Sequence, residues 1–260
     1  MDKPLILISN DDGITAPGIR ALVDAVKDLG EIVIVAPDSP QSGMGHAVTI
    51  SKPLRLEKTD IYNHLGINSY QCSGTPADCV KLAVDKVLHR KPDLLLSGIN
   101  HGSNSSINVI YSGTMSAAVE GGIEGIPSAG FSLCDYAYDA DFTLSQKVVK
   151  KIAKNIIQDG LPQGVLLNVN IPKVTIDDFK GIKVCRQALA KWQEDFDERR
   201  DPNGRKYFWL TGKFVNLDNG NDTDEWALAN HYASVVPVHF DLTAYNAIAY
   251  LNNWNYSYED

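Results

Sequence analysis

Two adjacent carboxylates, Asp11 and Asp12, close the apolar run Leu5-Ile6-Leu7-Ile8-Ser9 and stand between Asn10 and Gly13. Acids paired like this can hold a hard divalent cation through oxygen. They can also belong to an ordinary turn in which Asp caps the next helix. The preceding run bears on the choice. Leu and Ile without alternation mark a strand buried on both faces, as in a parallel sheet. Consecutive strand residues face opposite sides. Both acids can aim at one point only if the chain has already turned, and Asn10 and Gly13 are turn residues. The carboxyl ends of strands are where open α/β sheets bind ligands.

Other oxygen-bearing residues are predicted at the same edge. After the acids, Ile19, Leu22, Val23 and Val26 recur with helical spacing, and the helix ends near Leu29-Gly30. Residues 31–36 form a second buried strand, which makes a βαβ unit with parallel strands and a right-handed crossover. The first turn has Gly13 and Gly18 but no GxGxxG, so this is no dinucleotide fingerprint. Carboxylates facing a phosphate make sense only with a cation between them. The Pro-, Gly- and Ser-rich loop 37–45 leaves from the same edge, with Ser39 and Ser42 as candidate ligands; either alone is an ordinary loop serine. His46 reads as a hydrogen-bonded structural residue. Residues 92–97 are another buried strand, followed by the Gly/Asn-rich loop 98–104. Asn100 there can lend a carbonyl oxygen to a metal or an N–H to a phosphate. Ser112, Gly113 and Thr114 precede a helical stretch and serve equally as an anion site or as an N-cap.

The remaining elements complete an α/β reading. Short strand-like pieces at 47–50, 54–56 and 69–72 suggest a β excursion. Thr75, Pro76 and Asp78 open a helix as N-cap, N1 and first-turn acid, with Val80, Ala83, Val84, Val87 and Leu88 as its apolar face. A strand over 126–133, a helix over 142–158 and a strand over 164–171 close a core spanning 1–172. The extension, 173–260, begins with a polar, charged stretch at 186–204. Pro202-Asn203-Gly204 and an alternating segment at 206–215 predict a hairpin. An aromatic hairpin (Tyr207, Phe208, Trp209, Phe214) is marginal alone and needs something to pack on, for which another subunit would serve. A loop at 219–223, a short helix at 224–230, a strand at 232–237 and an aromatic tail at 252–260 follow.

Composition narrows the partners. The 260 residues are 44% hydrophobic and 22% charged, the balance of a soluble globular protein. The net charge of −8 and the absence of a basic run argue against long nucleic acid, whose affinity comes from phosphate neutralisation. No apolar run approaches the ~20 residues that span a bilayer. Residues 1–4 lead into the first strand without signal-peptide architecture. Cys72, Cys79, Cys134 and Cys185 form no CxxC, which fits free thiols in a reducing cytoplasm.

Four ordered stretches together resemble one family: Ile8-Ser9-Asn10-Asp11-Asp12-Gly13; Val35-Ala36-Pro37-Asp38 with Ser42 and Gly45-His46; Ser73-Gly74-Thr75-Pro76-Ala77-Asp78; and Ser97-Gly98-Ile99-Asn100-His101-Gly102-Ser103-Asn104. They look like the stationary-phase survival protein SurE family of 5′/3′-nucleotidases, and Tyr111-Ser112-Gly113-Thr114 extends the match. The likeness is strong over residues 4–135 and weaker beyond. It implies a Rossmann-like, mostly parallel sheet flanked by helices, carrying a metal-dependent phosphatase of nucleoside monophosphates. It places the ligands of one Mg²⁺ or Mn²⁺ per subunit on Asp11, Asp12, Ser42 and Asn100. Phosphate contacts fall on Asn100, Ser112, Gly113 and Thr114, and no general acid is assigned; His101 is nearest. It also implies a homodimer or homotetramer with exchanged C-terminal segments. Departures lie in the C-terminal half: Asp222 stands before Thr223-Asp224 where the family often has Gly, and the 186–204 stretch has no match. An aspartyl-phosphate route lacks its expected Asp-x-Asp spacing. The rival from another class is a nucleotide- or metal-binding regulator without turnover.

Overall fold

The apolar runs read as buried strands are strands in the computed structural model, which describes residues 3–258. The chain runs β1 (Leu5–Ser9), α1 (Pro17–Val26), β2 (Glu31–Pro37), β3 (Leu56–Thr59), β4 (Asn68–Cys72), α2 (Pro76–Leu82), β5 (Leu94–His101) and α3 (Gly113–Ile123). It continues through β6 (Ser128–Leu133), α4 (Thr143–Asp159), β7 (Val165–Ile171), β8 (Gly181–Val184), β9 (Ala190–Arg200), β10 (Lys206–Asn216), α5 (Asp224–Ala229), β11 (Tyr232–His239) and α6 (Tyr245–Leu251).

Nine strands form one sheet in the order β3-β4-β2-β1-β5-β6-β7-β11-β8. From β4 to β7 every neighbouring pair is parallel; β3 and β11 pair antiparallel to β4 and β7. Helices cover both faces. On β1, Ile6 and Ile8 join the cluster that holds Ile19 and Leu22 of α1 and Val149 and Ile152 of α4. Leu5 and Leu7 join Val80 of α2 and Ala117 of α3 on the other face. This period-2 division is why the run needs apolar residues at every position. Each such side chain contributes roughly 1.5–3 kcal/mol by burial.

The chain builds outward from β1 in both directions, to β2 and β4 on one side and to β5, β6 and β7 on the other. The strand order therefore reverses between β1 and β5. That crevice, at the carboxyl ends, is where such sheets bind ligands, and it receives the segments after Ser9 and around Asn100.

Several elements differ from the sequence expectation. The strand expected to stop at Ser97 continues to His101, with its register against β6 shifted between Ser97 and Asn100. Asn100 pairs with Ser132 and His101 with Leu133, so pairing in the sheet overrides the loop-like composition. Residues 47–50 are not a strand. The piece at 69–72 is no excursion: β4 runs parallel to β2, with Val33 opposite Asn68. The Thr75 N-cap and Asp78 are present as a full capping box with Pro76 at N1.

The sheet also crosses the expected boundary at residue 172, since β8 and β11 both belong to it. What stands apart is the β9–β10 hairpin, paired from Ala190↔Asn216 to Arg200↔Lys206. The polar 186–204 stretch is thus largely the hairpin's first arm. Helix α6 was not anticipated from the sequence, and Glu259 and Asp260 of the aromatic tail lie outside the described residues.

Candidate active site

The site is assembled where β1 ends. Asn10 closes the turn by donating from Nδ2 to the Gly13 carbonyl at 2.9 Å. The loop after β2 is laced to this turn: Gln41 N–H donates to the Asp11 carbonyl at 2.7 Å and Ile14 N–H to the Pro37 carbonyl at 2.9 Å. These bonds bring Ser42 toward the acids. Asp11, Asp12, Ser42, Asn100 and Ser112 line one cavity of about 220 Å³ together with His101. Ser39 is not in its wall; its hydroxyl donates to Asp38 at 2.7 Å.

Asp11 is buried at 4% exposure. Its Oδ1 accepts from Thr114 Oγ1 at 2.5 Å. Burial pushes its carboxyl up, the Thr114 hydroxyl opposes that, and Asp12 pushes it up again, to about 6. Asp12 is half-buried and also raised by burial, with His101 opposing. A buried carboxylate with a second one beside it resists ionisation unless a positive charge joins them.

The start of α3 supports Asp11 directly. A Cβ at Gly113 would sit 2.6 Å from the Asp11 Cβ, so only glycine allows the helix to approach this far. Ser112 is the N-cap, its hydroxyl accepting from Met115 N–H at 3.0 Å. Thr114 does not cap; it is fully buried and serves Asp11. Ser112 lines the cavity, whereas Gly113 and Thr114 lie behind Asp11 and are not in the wall.

Asn100 had two open roles. Its Nδ2 donates to the carbonyls of Gly102 at 2.9 Å and His101 at 3.3 Å. Both amide hydrogens are committed, so the expected Asn100 contact to phosphate loses its donor, and the carbonyl oxygen is what Asn100 can offer. His101 is set edge-on against Phe142, with ring centroids 5.1 Å apart.

The donor set is therefore two carboxylates, a hydroxyl and an amide carbonyl. Among the described residues no cluster of three His, Cys, Asp or Glu side chains could hold a metal. An all-oxygen set of this kind fits a hard ion that keeps water ligands, such as Mg²⁺ or Mn²⁺, better than zinc.

Comparison with known proteins agrees with these motifs. The family model described as Survival protein SurE matches residues 6–194. The chain belongs to the SurE family. It is 65% identical over 253 residues to the protein named 5′-nucleotidase SurE of Christiangramia forsetii, covering 97% of each chain. It is 62% identical to the one of the same name in Flavobacterium psychrophilum, covering 98% of this chain and 99% of that one. The crystal structure of the SurE protein from Aquifex aeolicus superposes with a TM-score of 0.82 at 42% identity, over 96% of this chain and all of that one.

In this SurE chain one buried acid escaped the sequence reading. Glu120 on α3 is 1% exposed. It accepts from Lys81 Nζ at 2.6 Å, and its other oxygen is 2.8 Å from His46 Nε2. His46 closes the loop that carries Ser42, so Glu120 ties that loop to α2 and α3. The available signal was an acid in a helix otherwise made of small and apolar residues. Burial raises the Glu120 carboxyl, but the bonds from His46 and Lys81 outweigh it and hold it below its ordinary 4.5. An acid depressed in the folded state contributes stability above its unfolded pKa and loses it as pH falls through the folded value. Glu120→Gln mimics the protonated form. It should cost roughly 1.5–3 kcal/mol at pH 7, the scale of charge-assisted bonds, and the difference from wild type should shrink below about pH 4.5. Denaturant unfolding at both pH values measures this.

Proposed function

We propose that this chain is a nucleotidase: a phosphomonoesterase that hydrolyses nucleoside 5′- and 3′-monophosphates with one divalent ion, Mg²⁺ or Mn²⁺, per subunit. The observation that carries the reading is the convergence of Asp11, Asp12, Ser42 and Asn100 on one cavity at the reversal of strand order. The name shared by its relatives, 5′-nucleotidase SurE, supports the reaction class.

Each residue has a defined task. Asp11 and Asp12 would supply two anionic ligands to the ion, and the Ser42 hydroxyl and Asn100 carbonyl neutral ones. The bound ion would neutralise charge on the phosphoryl group. Thr114 donates to Asp11 Oδ1 and fixes the carboxylate's orientation. The cavity wall contains no Lys or Arg. Compensation of a phosphate dianion therefore falls on the ion and on the N-terminus of α3, which meets the cavity at Ser112 and whose dipole favours an anion. His101 opposes the effect of burial at Asp12 and keeps it available as a carboxylate.

The same proposal covers assembly and location. The hairpin carries Phe196, Phe208, Trp209 and Leu210, each more than half exposed. A two-stranded ribbon with such a surface is unstable alone. We read it as the contact of a homodimer or homotetramer with exchanged C-terminal segments. The four cysteines are unpaired, which supports a cytoplasmic protein. Among the described residues no helix is long and apolar enough to cross a membrane.

Three measurements test this. Phosphate release from a nucleoside monophosphate should stop on chelation and return with Mn²⁺ or Mg²⁺. Asp11→Asn and Asp12→Asn should each lower turnover by orders of magnitude without unfolding the chain. A folded wild type that binds nucleotide and metal but releases no phosphate would be a regulator instead.

A further test is pH dependence. Metal binding requires Asp11 as carboxylate, so Mn²⁺ affinity by calorimetry should rise steeply up to about pH 6 and then level. The metal-free protein should change in the opposite sense. Its folded state holds the Asp11 proton up to about pH 6 and its unfolded state only to 3.8, so this group adds stability as pH falls through that window.

For assembly, Trp209→Glu or deletion of residues 252–260 should shift sedimentation toward monomer. A wild-type chain that is monomeric at micromolar concentration would refute the exchanged-segment reading.

A further inference from the structure

Part of the cavity wall does not suit phosphate. Beside the oxygen donors it includes three aromatic rings, Tyr111, Tyr136 and Trp192, exposed at 54%, 77% and 41%. Scattered surface aromatics need no explanation. Three around one small polar cavity, from three separate parts of the chain, do. Tyr111 lies just before α3, Tyr136 follows β6, and Trp192 belongs to β9.

The Trp192 ring is held in place. Trp192 donates from Nε1 to Asn108 Oδ1 at 2.8 Å. Its ring meets Phe214 edge-on, with centroids 5.7 Å apart. The only polar atom of the indole is thus satisfied by the protein, and its π surface is what remains for a ligand. Tyr136 lies on the backbone at Gly102, where a Cβ would come within 2.2 Å of its ring. The carbonyl of Tyr111 accepts from Gly45 N–H at 3.1 Å, within the loop of Ser42. Rigid aromatic surface of this kind binds flat π systems at small entropic cost.

We propose that Trp192, with Tyr111 and Tyr136, forms a stacking platform for the nucleobase of the substrate, and that Trp192 is the residue by which the enzyme prefers nucleotides to base-free phosphate esters. The inference rests on the nucleotidase reading and names the subsite that reading leaves open. Every base has a π face, so the platform tolerates both purines and pyrimidines. Contacts to the base face of the ligand are made equally in ground and transition states. They therefore act through KM and leave kcat unchanged. Trp192 stands at the root of the hairpin, which gives the C-terminal half a share in substrate choice.

The test compares wild type, Trp192→Ala and Trp192→Phe on adenosine monophosphate and on ribose 5-phosphate, a phosphate ester without a base. Trp192→Ala should lower kcat/KM on the nucleotide about tenfold, the scale of losing one base–aromatic stack, and do so through KM. It should leave ribose 5-phosphate unaffected, and Trp192→Phe should retain most of the nucleotide activity. Nucleotide binding should quench tryptophan fluorescence in wild type and not in Trp192→Phe, which preserves the test should the alanine variant not fold. Equal losses on both substrates, or none on either, overturn the platform alone. A wild type that cleaves ribose 5-phosphate and spares the nucleotide overturns the nucleotidase reading as well.

Discussion

A carboxylate that is almost wholly removed from water and placed beside a second carboxylate is costly, and Asp11 is in that position. Much of the surrounding structure manages this cost. Thr114 donates to one oxygen. Glycine at 113 lets the positive end of α3 come close enough to act on the carboxylate. His101 moderates Asp12. These devices offset part of the cost; burial above all, and Asp12 after it, still hold the Asp11 carboxyl above its ordinary value. What remains unbalanced is negative charge directed at an oxygen-lined cavity. A site kept under such tension gains most when a hard cation enters.

Precise placement of a loop carboxylate requires a rigid base, and the parallel sheet supplies it. β1 is buried on both faces, with α1 and α4 on one side and α2 and α3 on the other. Its end cannot move without disturbing two cores. The neighbouring strand β5 ends alongside and carries Asn100 into the same crevice. The third contributor, the loop after β2, has no regular structure of its own. It is fixed by three separate ties: to the Asp11 carbonyl through Gln41, to the Tyr111 carbonyl through Gly45, and to Glu120 through His46. The part of the site without regular structure is thus bound to the turn after β1, to the residue before the N-cap of α3 and, through Glu120, to α3 itself, the same helix that positions Asp11.

The parts that were legible in the sequence are those set by local pattern. Unbroken apolar runs identified the parallel strands, and turn residues after β1 placed Asp11 and Asp12 at the carboxyl edge. Thr75, Pro76 and Asp78 gave the start of α2. Side-chain pairing across long separations left no such mark. Nothing near Thr114 indicates that its partner is Asp11, 103 residues earlier. Trp192 sits in a charged stretch whose pattern says surface, and its approach to Asn108 depends on how the hairpin leaves the sheet. The extension of β5 to His101 was hidden because Gly98 and Asn100 read as loop; β6 alongside supplies the pairing that residue preferences do not.

The C-terminal half illustrates how long-range pairing extends the site. Thr223 caps α5 and places Asp224 in its first turn, fully buried. Asp224 accepts from Ser106 N–H at 2.7 Å and from Ala188 N–H at 2.9 Å. One carboxylate thereby joins the segment after β5, which forms part of the cavity, to the chain just before β9. Glu225 reinforces the junction, accepting from Ser105 Oγ at 2.5 Å. Because Ala188 is pinned there, β9 starts beside the cavity, and Trp192 falls within reach of it. The hairpin beyond can then lean outward with its apolar surface exposed. A single buried acid in a short helix thus couples an otherwise projecting element to the carboxyl edge of the sheet, and it explains how one ribbon lines the cavity at its root while its apolar side chains stay exposed along its length.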